Sequence, residues 1–224
     1  MKAIIKRIIS PLLQRASRVY LAKARKYSYQ NISVLVEPTV FPPFLTISTK
    51  LLLEFVETLP LKGKTVLELG CGCGIISILA AHKNALVTST DINDVALNAL
   101  QKNAAENHVS LEILHSDLFE NLGNRAFDFT IINPPYYPKK PKNMAENAWF
   151  CGENFDYFEK LFTQLPTFLH SGNATYMILS EDCEIEKIKA IALKNDMAFE
   201  WISEQKVLAE KNFIFRIRFK NEHL

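Results

Sequence analysis

The stretch Val66-Leu67-Glu68-Leu69-Gly70-Cys71-Gly72-Cys73-Gly74-Ile75-Ile76-Ser77 decides the fold. Val66, Leu67 and Leu69 form a short apolar run, the pattern of a strand buried on both faces of a parallel sheet. An acid, Glu68, sits inside that run near its end. Glycines follow at every second position (Gly70, Gly72, Gly74), and then a helix-like run through Ile75, Ile76, Ile78, Leu79, Ala80 and Ala81. Glycines in a strand-to-helix turn free the backbone angles and let a ligand approach the main chain closely. A dinucleotide site wants G-x-G-x-x-G, with the pyrophosphate on the helix N-terminus. Here the spacing is G-x-G-x-G after an acid, so a carboxylate stands where a diphosphate would have to lie. That favours a cationic or zwitterionic ligand. Read alone, the motif also fits a glycine-rich turn with no ligand.

Working outward, strands and helices alternate. Residues 85–90 read as a strand ending at Asp91, and 93–107 as a helix with Val95, Ala96, Ala99 and Leu100 on one face. Residues 111–114 and 127–132 read as strands reaching Asp117 and ending at Asn133. Beyond them come a helix over 153–169, a strand over 174–179, a helix over 182–195 and two strands, 197–203 and 213–219. The last of these alternates Phe213, Phe215, Ile217 and Phe219 with Ile214, Arg216, Arg218 and Lys220, which predicts one wet face. Alternation of this kind gives an α/β, doubly wound, mostly parallel seven-stranded sheet with an antiparallel last strand and its site at the strands' carboxyl ends. Glu68, the glycines, Asp91, Asp117 and Asn133 all fall at such ends.

The acids have chemistry to match. Asp91, about twenty residues beyond the glycines, is placed to accept both ribose hydroxyls of a nucleoside; Asp is also a common helix cap. Ile92 offers apolar surface to an adenine ring. Asp117 can take the adenine amino group, with Leu118 against the base; its alternative is an exposed loop acid. Asn133-Pro134-Pro135-Tyr136 is more specific, because two prolines after an apolar strand force a rigid, extended turn. The Asn133 amide and the Pro134 carbonyl can then serve as two acceptors for one amino group, and Tyr136 and Tyr137 offer rings on which a planar group can stack.

Together these residues resemble the class I S-adenosylmethionine-dependent methyltransferases. Glu68-Leu69-Gly70-Cys71-Gly72-Cys73-Gly74 matches their first motif, and Asn133-Pro134-Pro135-Tyr136 matches the N-P-P-Y motif of enzymes that methylate a planar NH2. The resemblance is nearest to the small-domain group that includes release-factor glutamine methyltransferases and several ribosomal and transfer RNA base methyltransferases, and it covers roughly 38–220. It implies S-adenosyl-L-methionine as cofactor, with Glu68 balancing its positive charge. It implies a Rossmann-like fold, Asn133, Pro134 and Tyr136 at the transfer site, and Thr46 or Thr49 near the methionine end. Two departures bear on the substrate: the helical N-terminal domain of the bacterial release-factor enzymes is missing, and Phe41-Pro42-Pro43 lacks the charged pattern common there. The substrate expected is an adenine N6 or guanine N2 amino group of RNA, or a ribosome-associated one. A protein glutamine is the alternative, and a nucleotide-binding module or dehydrogenase the reading from another class.

Composition sets the outer bounds. With 224 residues, 48% of them hydrophobic, the chain can bury a full core. Nothing approaches 18 uncharged apolar residues in a row, so no membrane span is expected. Cys71, Cys73, Cys151 and Cys183 form no C-x-x-C pair and no cluster with histidine, so they read as reduced thiols of a cytoplasmic protein, with no metal site. Residues 1–36 hold eight basic residues and no acid; since the whole chain carries +2, the remainder carries −6. Residues 1–37 are expected to form a basic helix, opened by Ser10-Pro11, and a hairpin turning at Gln30-Asn31; residues 38–224 form the catalytic domain. The helix reads either as a packing element with a solvated face or as an arm for phosphates.

Overall fold

The computed structural model describes residues 22–170, 172–207 and 210–221. The basic helix expected over the first twenty or so residues, and the choice between its two readings, lies largely outside them. The described chain begins with a hairpin, β1 (Arg25–Tyr29) and β2 (Ile32–Val36), turning at Gln30-Asn31 with Gln30 at φ +50°. A positive φ at the first loop residue is what a tight hairpin turn of matching twist requires. Ile32, Val34 and Val36 point inward at strand periodicity and join the main core.

Next come α1 (Ser48–Thr58), β3 (Thr65–Leu69), α2 (Ile75–His82), β4 (Leu86–Asp91), α3 (Asp94–Glu106), β5 (Glu112–His115) and β6 (Phe129–Ile132). A short α4 (Met144–Asn147), α5 (Asp156–Gln164), β7 (Ala174–Ser180), α6 (Ile185–Lys194), β8 (Met197–Val207) and β9 (Glu210–Phe219) complete the order. The seven-stranded sheet runs β5-β4-β3-β6-β7-β9-β8, parallel from β5 to β7, with β9 antiparallel to both its neighbours. Strand order reverses between β3 and β6. A crevice outside the carboxyl ends of those two strands is where open α/β sheets hold ligands.

Side chains alternate across the sheet into two cores. Val66, Ile131 and Ile178 face α1, α2, α3 and the hairpin; Leu67, Leu69, Ile132, Met177 and Leu179 face α5 and α6. Phe158 and Phe162 of α5 are completely buried on the second side, where truncation to alanine costs about 3–5 kcal/mol each.

Three expectations change. Val95 leaves the buried face of α3 and is 43% exposed, while Ala96, Ala99 and Leu100 are buried. β9 has no fully wet face, because core residues cover the sheet on both sides at this strand, which lies between β7 and β8. Ile214 is buried on one side, Phe215 and Ile217 on the other; Arg216 reaches the Asn173 carbonyl at 3.2 Å. The β8–β9 hairpin is also longer than the sequence suggests, as registered pairs continue out to Val207 and Glu210.

One feature of α3 was not legible. Asn103 and Asn107 are buried and grip β2 as a neighbouring strand would. Asn103 Oδ1 accepts from Leu35 N–H at 2.8 Å and its Nδ2 donates to the Leu35 carbonyl at 3.0 Å; Asn107 does the same for Ser33 at 3.1 and 2.7 Å. The outer edge of β2 is thereby satisfied by side-chain amides. Asn103 Nδ2 also donates to the Cys73 carbonyl at 3.0 Å, tying the hairpin to the glycine turn.

Candidate active site

Register brings the two motifs together. Leu69 of β3 pairs with Ile132 of β6, so Gly70 and Asn133 leave neighbouring strands at the same level. Leu69 pairs on its other side with Thr90, placing Asp91 beside the glycine turn. Pairing of Asp91 with His115 brings Asp117 to the same end of the sheet.

Four of the turn's backbone donors are committed to protein oxygens. Gly70 and Cys71 N–H both donate to the Thr90 carbonyl at 2.8 and 2.9 Å, Gly74 N–H to the Cys71 carbonyl at 2.8 Å, and Gly72 N–H to Asp91 Oδ2 at 2.9 Å. A turn wired this way presents acids to a ligand, which suits a cation and not a pyrophosphate. Gly74, at φ +77°, is there for a close approach: a Cβ would lie 2.0 Å from Leu100 Cδ1.

Glu68 is 5% exposed. Ser77 Oγ donates to its Oε2, and Ser77 Oγ lies 2.6 Å from Ser89 Oγ. Burial raises its carboxyl to about 8, against the lowering by Ser77, and the Asp91 carboxylate adds to the rise. Among the described residues no Lys or Arg pairs with it. Asp91 is likewise raised by burial, opposed by donation from Gly72 and Asn93 N–H; its Oδ1 accepts the Asn93 donor at 2.9 Å.

These groups open onto a cavity of about 630 Å3. Glu68, Gly70, Gly72, Asp91, Ile92, Asp117, Leu118, Asn133 and Pro135 all line it. Thr49 lines it too. Thr46 does not, nor does either cap α1, whose preceding Ile47 makes no side-chain cap bond. Gly74 and Pro134 do not line it. The Asn133 side chain is half-buried and forms no hydrogen bond among the described residues, so it is free to bind a ligand.

Tyr136 is placed otherwise than as a stacking platform. Its ring is 8% exposed, belongs to the second core, and lies 4.8 Å from the Tyr137 ring. Burial pushes its phenol well above the usual tyrosine range. The aromatic surfaces that do line the cavity are Phe41, Phe150 and Tyr157.

Much of that wall comes from residues 138–160, which the sequence does not single out. Tyr137 N–H donates to the Trp149 carbonyl at 3.1 Å and Cys151 N–H to the Tyr137 carbonyl at 3.0 Å, closing the intervening loop at its base. Phe41 packs on Trp149 at 4.9 Å between ring centroids. Lys160 of α5 holds Asp117 Oδ2 and Glu120 Oε1, each at 2.6 Å. The legible signal was Asn143-Met-Ala-Glu146, an N-cap with an acid three residues on: Asn143 Oδ1 accepts from Glu146 N–H at 3.1 Å, and Glu146 Oε2 from Lys142 N–H at 2.9 Å. The four cysteines are free and buried, and no cluster among the described residues has the His, Cys, Asp and Glu groups to hold a metal. No helix among them is long and apolar enough to cross a membrane.

The methyltransferase small domain family model matches residues 31–197. A Methanocaldococcus jannaschii protein provisionally named a protein N5-glutamine methyltransferase is 31% identical over 179 residues, covering 75% of this chain and 88% of that protein. The Haemophilus influenzae ribosomal RNA small subunit methyltransferase C is 37% identical over 178 residues, covering 74% of this chain but 52% of the relative, so the chain spans about half its length. In fold, the T. thermophilus 16S rRNA N2 G1207 methyltransferase, solved with AdoMet and guanosine, matches with TM-score 0.62 and 22% identity over 88% of this chain and 50% of that one. The acid–glycine turn, the Asn-Pro-Pro-Tyr turn in register beside it and the match over 31–197 make this chain a member of the methyltransferase small domain family, S-adenosylmethionine-dependent enzymes.

Proposed function

We propose that the chain transfers a methyl group from S-adenosylmethionine to the exocyclic amino group of an RNA base, adenine N6 or guanine N2, in the cytoplasm. One observation carries the reading: Asn133 and the acid–glycine turn leave paired strands at Leu69 and Ile132 and line one cavity. The residues fit the cofactor on structural grounds, since Glu68 is a buried acid with no cationic partner among the described residues and Asp91 stands at the adjacent strand end. Glu68 would face the positive charge of the methionine end, Asp91 would take the ribose hydroxyls, Ile92 and Leu118 would pack against the adenine, and Asp117 would take its amino group.

When bound, S-adenosylmethionine supplies an electrophilic methyl on a good leaving group. The difficulty lies with the acceptor, whose nitrogen lone pair is delocalised into the π system. Asn133 Oδ1, on the cavity wall, accepts an amino proton, which localises the pair and aims it; Pro134 does not line the cavity and serves to hold the turn extended. Alignment of this kind contributes roughly 7–11 kcal/mol in well-oriented systems. The nitrogen becomes cationic on transfer and loses a proton readily, so the residues need hold no strong base. Tyr136, buried beneath, holds the turn rigid.

The ribosomal RNA relative supports an RNA base. A protein glutamine is the second reading, favoured by the archaeal relative matched over 88% of its length. Labelled methyl transfer into cell extract separates them: label lost to RNase supports the RNA base, and label that survives RNase but is lost to protease replaces it with the glutamine.

A further inference from the structure

The loop between the Asn-Pro-Pro-Tyr turn and α5 carries Lys139, Lys140 and Lys142, all exposed. None of the three forms an ion pair among the described residues, as is also true of Lys62, Lys102 and Lys206 elsewhere on the surface; Lys139, Lys140 and Lys142 are set apart by standing together on one loop. Of the loop's two carboxylates, Glu146 accepts the Lys142 backbone N–H and is the N-terminal acid of α4, and Glu153 lines the cavity. Lys140 lines the cavity, and Lys139 Nζ sits 4.3 Å above the Phe150 ring, which lines it too. Lys140, with Lys139 on the lining Phe150 ring, therefore brings positive charge to the cavity that Asn133 opens onto, and Lys142 follows two residues on in the same loop.

We propose that Lys139, Lys140 and Lys142 form a phosphate-binding rim that holds the RNA backbone on either side of the target nucleotide while its base enters toward Asn133. The proposal rests on the RNA reading above and adds a binding element to it. The loop is set for the task before RNA arrives. Its two ends are joined at Tyr137 by the bonds to Trp149 and Cys151, and its middle is fixed by the Asn143 cap. Lysines on a closed loop lose less freedom on binding than lysines on a loose one. An acidic protein surface would be drawn by the same charge. The cavity walls favour a nucleotide, because Phe41 and Phe150 offer ring faces and a flipped base, unlike a glutamine side chain, has a face to stack on them. Phosphates bound on the rim would also keep the polyanion clear of the acidic inner half, where Glu68, Asp91 and Asp117 serve the cofactor.

The test uses the full-length protein with S-adenosylhomocysteine and a short fluorescein-labelled single-stranded oligoribonucleotide containing all four bases, titrated by anisotropy across a salt series. K139Q/K140Q/K142Q is expected to bind about tenfold or more weakly at low salt, with a salt slope flatter by about 2 for three lost phosphate contacts on a single strand. K139R/K140R/K142R is expected to keep the wild-type slope, and both variants the wild-type affinity for S-adenosylhomocysteine by calorimetry. If wild type binds and methylates RNA but the glutamine variant keeps its slope and affinity, the rim is overturned and the RNA reading stands. If wild type shows no salt-dependent RNA binding and its labelled product is lost to protease, both fall. Loss of S-adenosylhomocysteine affinity in the glutamine variant would make the lysines part of the scaffold, which also overturns the rim.

Discussion

Lys160 Nζ lies 2.6 Å from Asp117 Oδ2, so the acid at the end of the third parallel strand is oriented by a helix far along the chain. One carboxylate oxygen is held by the lysine, and in the proposed reading the other is the acceptor for the adenine amino group. Glu120 Oε1, also at 2.6 Å, fixes the lysine from its other side.

Lys160→Met is therefore expected to weaken S-adenosylhomocysteine binding about two- to five-fold, the scale of a partly exposed ion pair. Preference for S-adenosylhomocysteine over its inosine counterpart, which lacks the amino group, should shrink in parallel. Calorimetry with both ligands measures it; an undiminished preference would show that Asp117 needs no such support.

Glu68 gives a pH signature. Its folded carboxyl is raised to about 8 while the unfolded chain titrates near the ordinary glutamate value. Between roughly pH 5 and 8 the folded protein thus binds a proton that the unfolded chain has lost, and stability contributed at this site falls as pH rises. Glu68→Gln cannot ionise, so its melting temperature should gain on wild type from pH 5 to pH 8 by about 7–14 °C, corresponding to roughly 3–4 kcal/mol, and then level off. A difference in melting temperature that stays constant across this range would remove the buried ionisable acid from the account.

Gly74→Ala places a methyl against Leu100 in a left-handed backbone. The expected loss is about 2–4 kcal/mol by urea unfolding. Adding Leu100→Ala should recover at least about 1 kcal/mol of it as coupling. Strictly additive losses would mean that Leu100 is not the obstacle.

The acids and the Asn-Pro-Pro-Tyr turn were legible because each ends a run of apolar residues, and parallel pairing brings such ends together. Tyr136 was misplaced because its neighbours in the second core, among them Phe155 and Leu179, come from distant segments and no local pattern announces them. Asn103 and Asn107 continue the buried face of Ala96, Ala99 and Leu100 at helical spacing, but nothing local announces their partners, the backbone groups of Leu35 and Ser33, which lie some seventy residues upstream. The wall built by Phe150, Tyr157 and Lys160 depends on a loop closed by contacts to Tyr137 and Phe41. Those contacts are non-local, so only the Asn143–Glu146 cap was visible in the chain itself.

The buried amide of Asn103 joins β2 to the glycine turn through the Leu35 and Cys73 carbonyls. Asn103→Ala leaves those groups without their donor and should cost about 2–4 kcal/mol. Hydrogen exchange should find the Leu35 amide deprotected before the central strands; full protection would show that the hairpin is held by its apolar face alone.

The central claim is that Asn133 acts on the acceptor amino group and not on the cofactor. Asn133→Ala, assayed for S-adenosylhomocysteine affinity by calorimetry and for labelled methyl transfer to extract RNA, tests it most directly. The account predicts affinity within about twofold of wild type and transfer reduced about 10²–10³-fold, the scale of losing a preorganised hydrogen-bonding group at a reacting centre. Equal loss of binding and transfer, or transfer left intact, would contradict it.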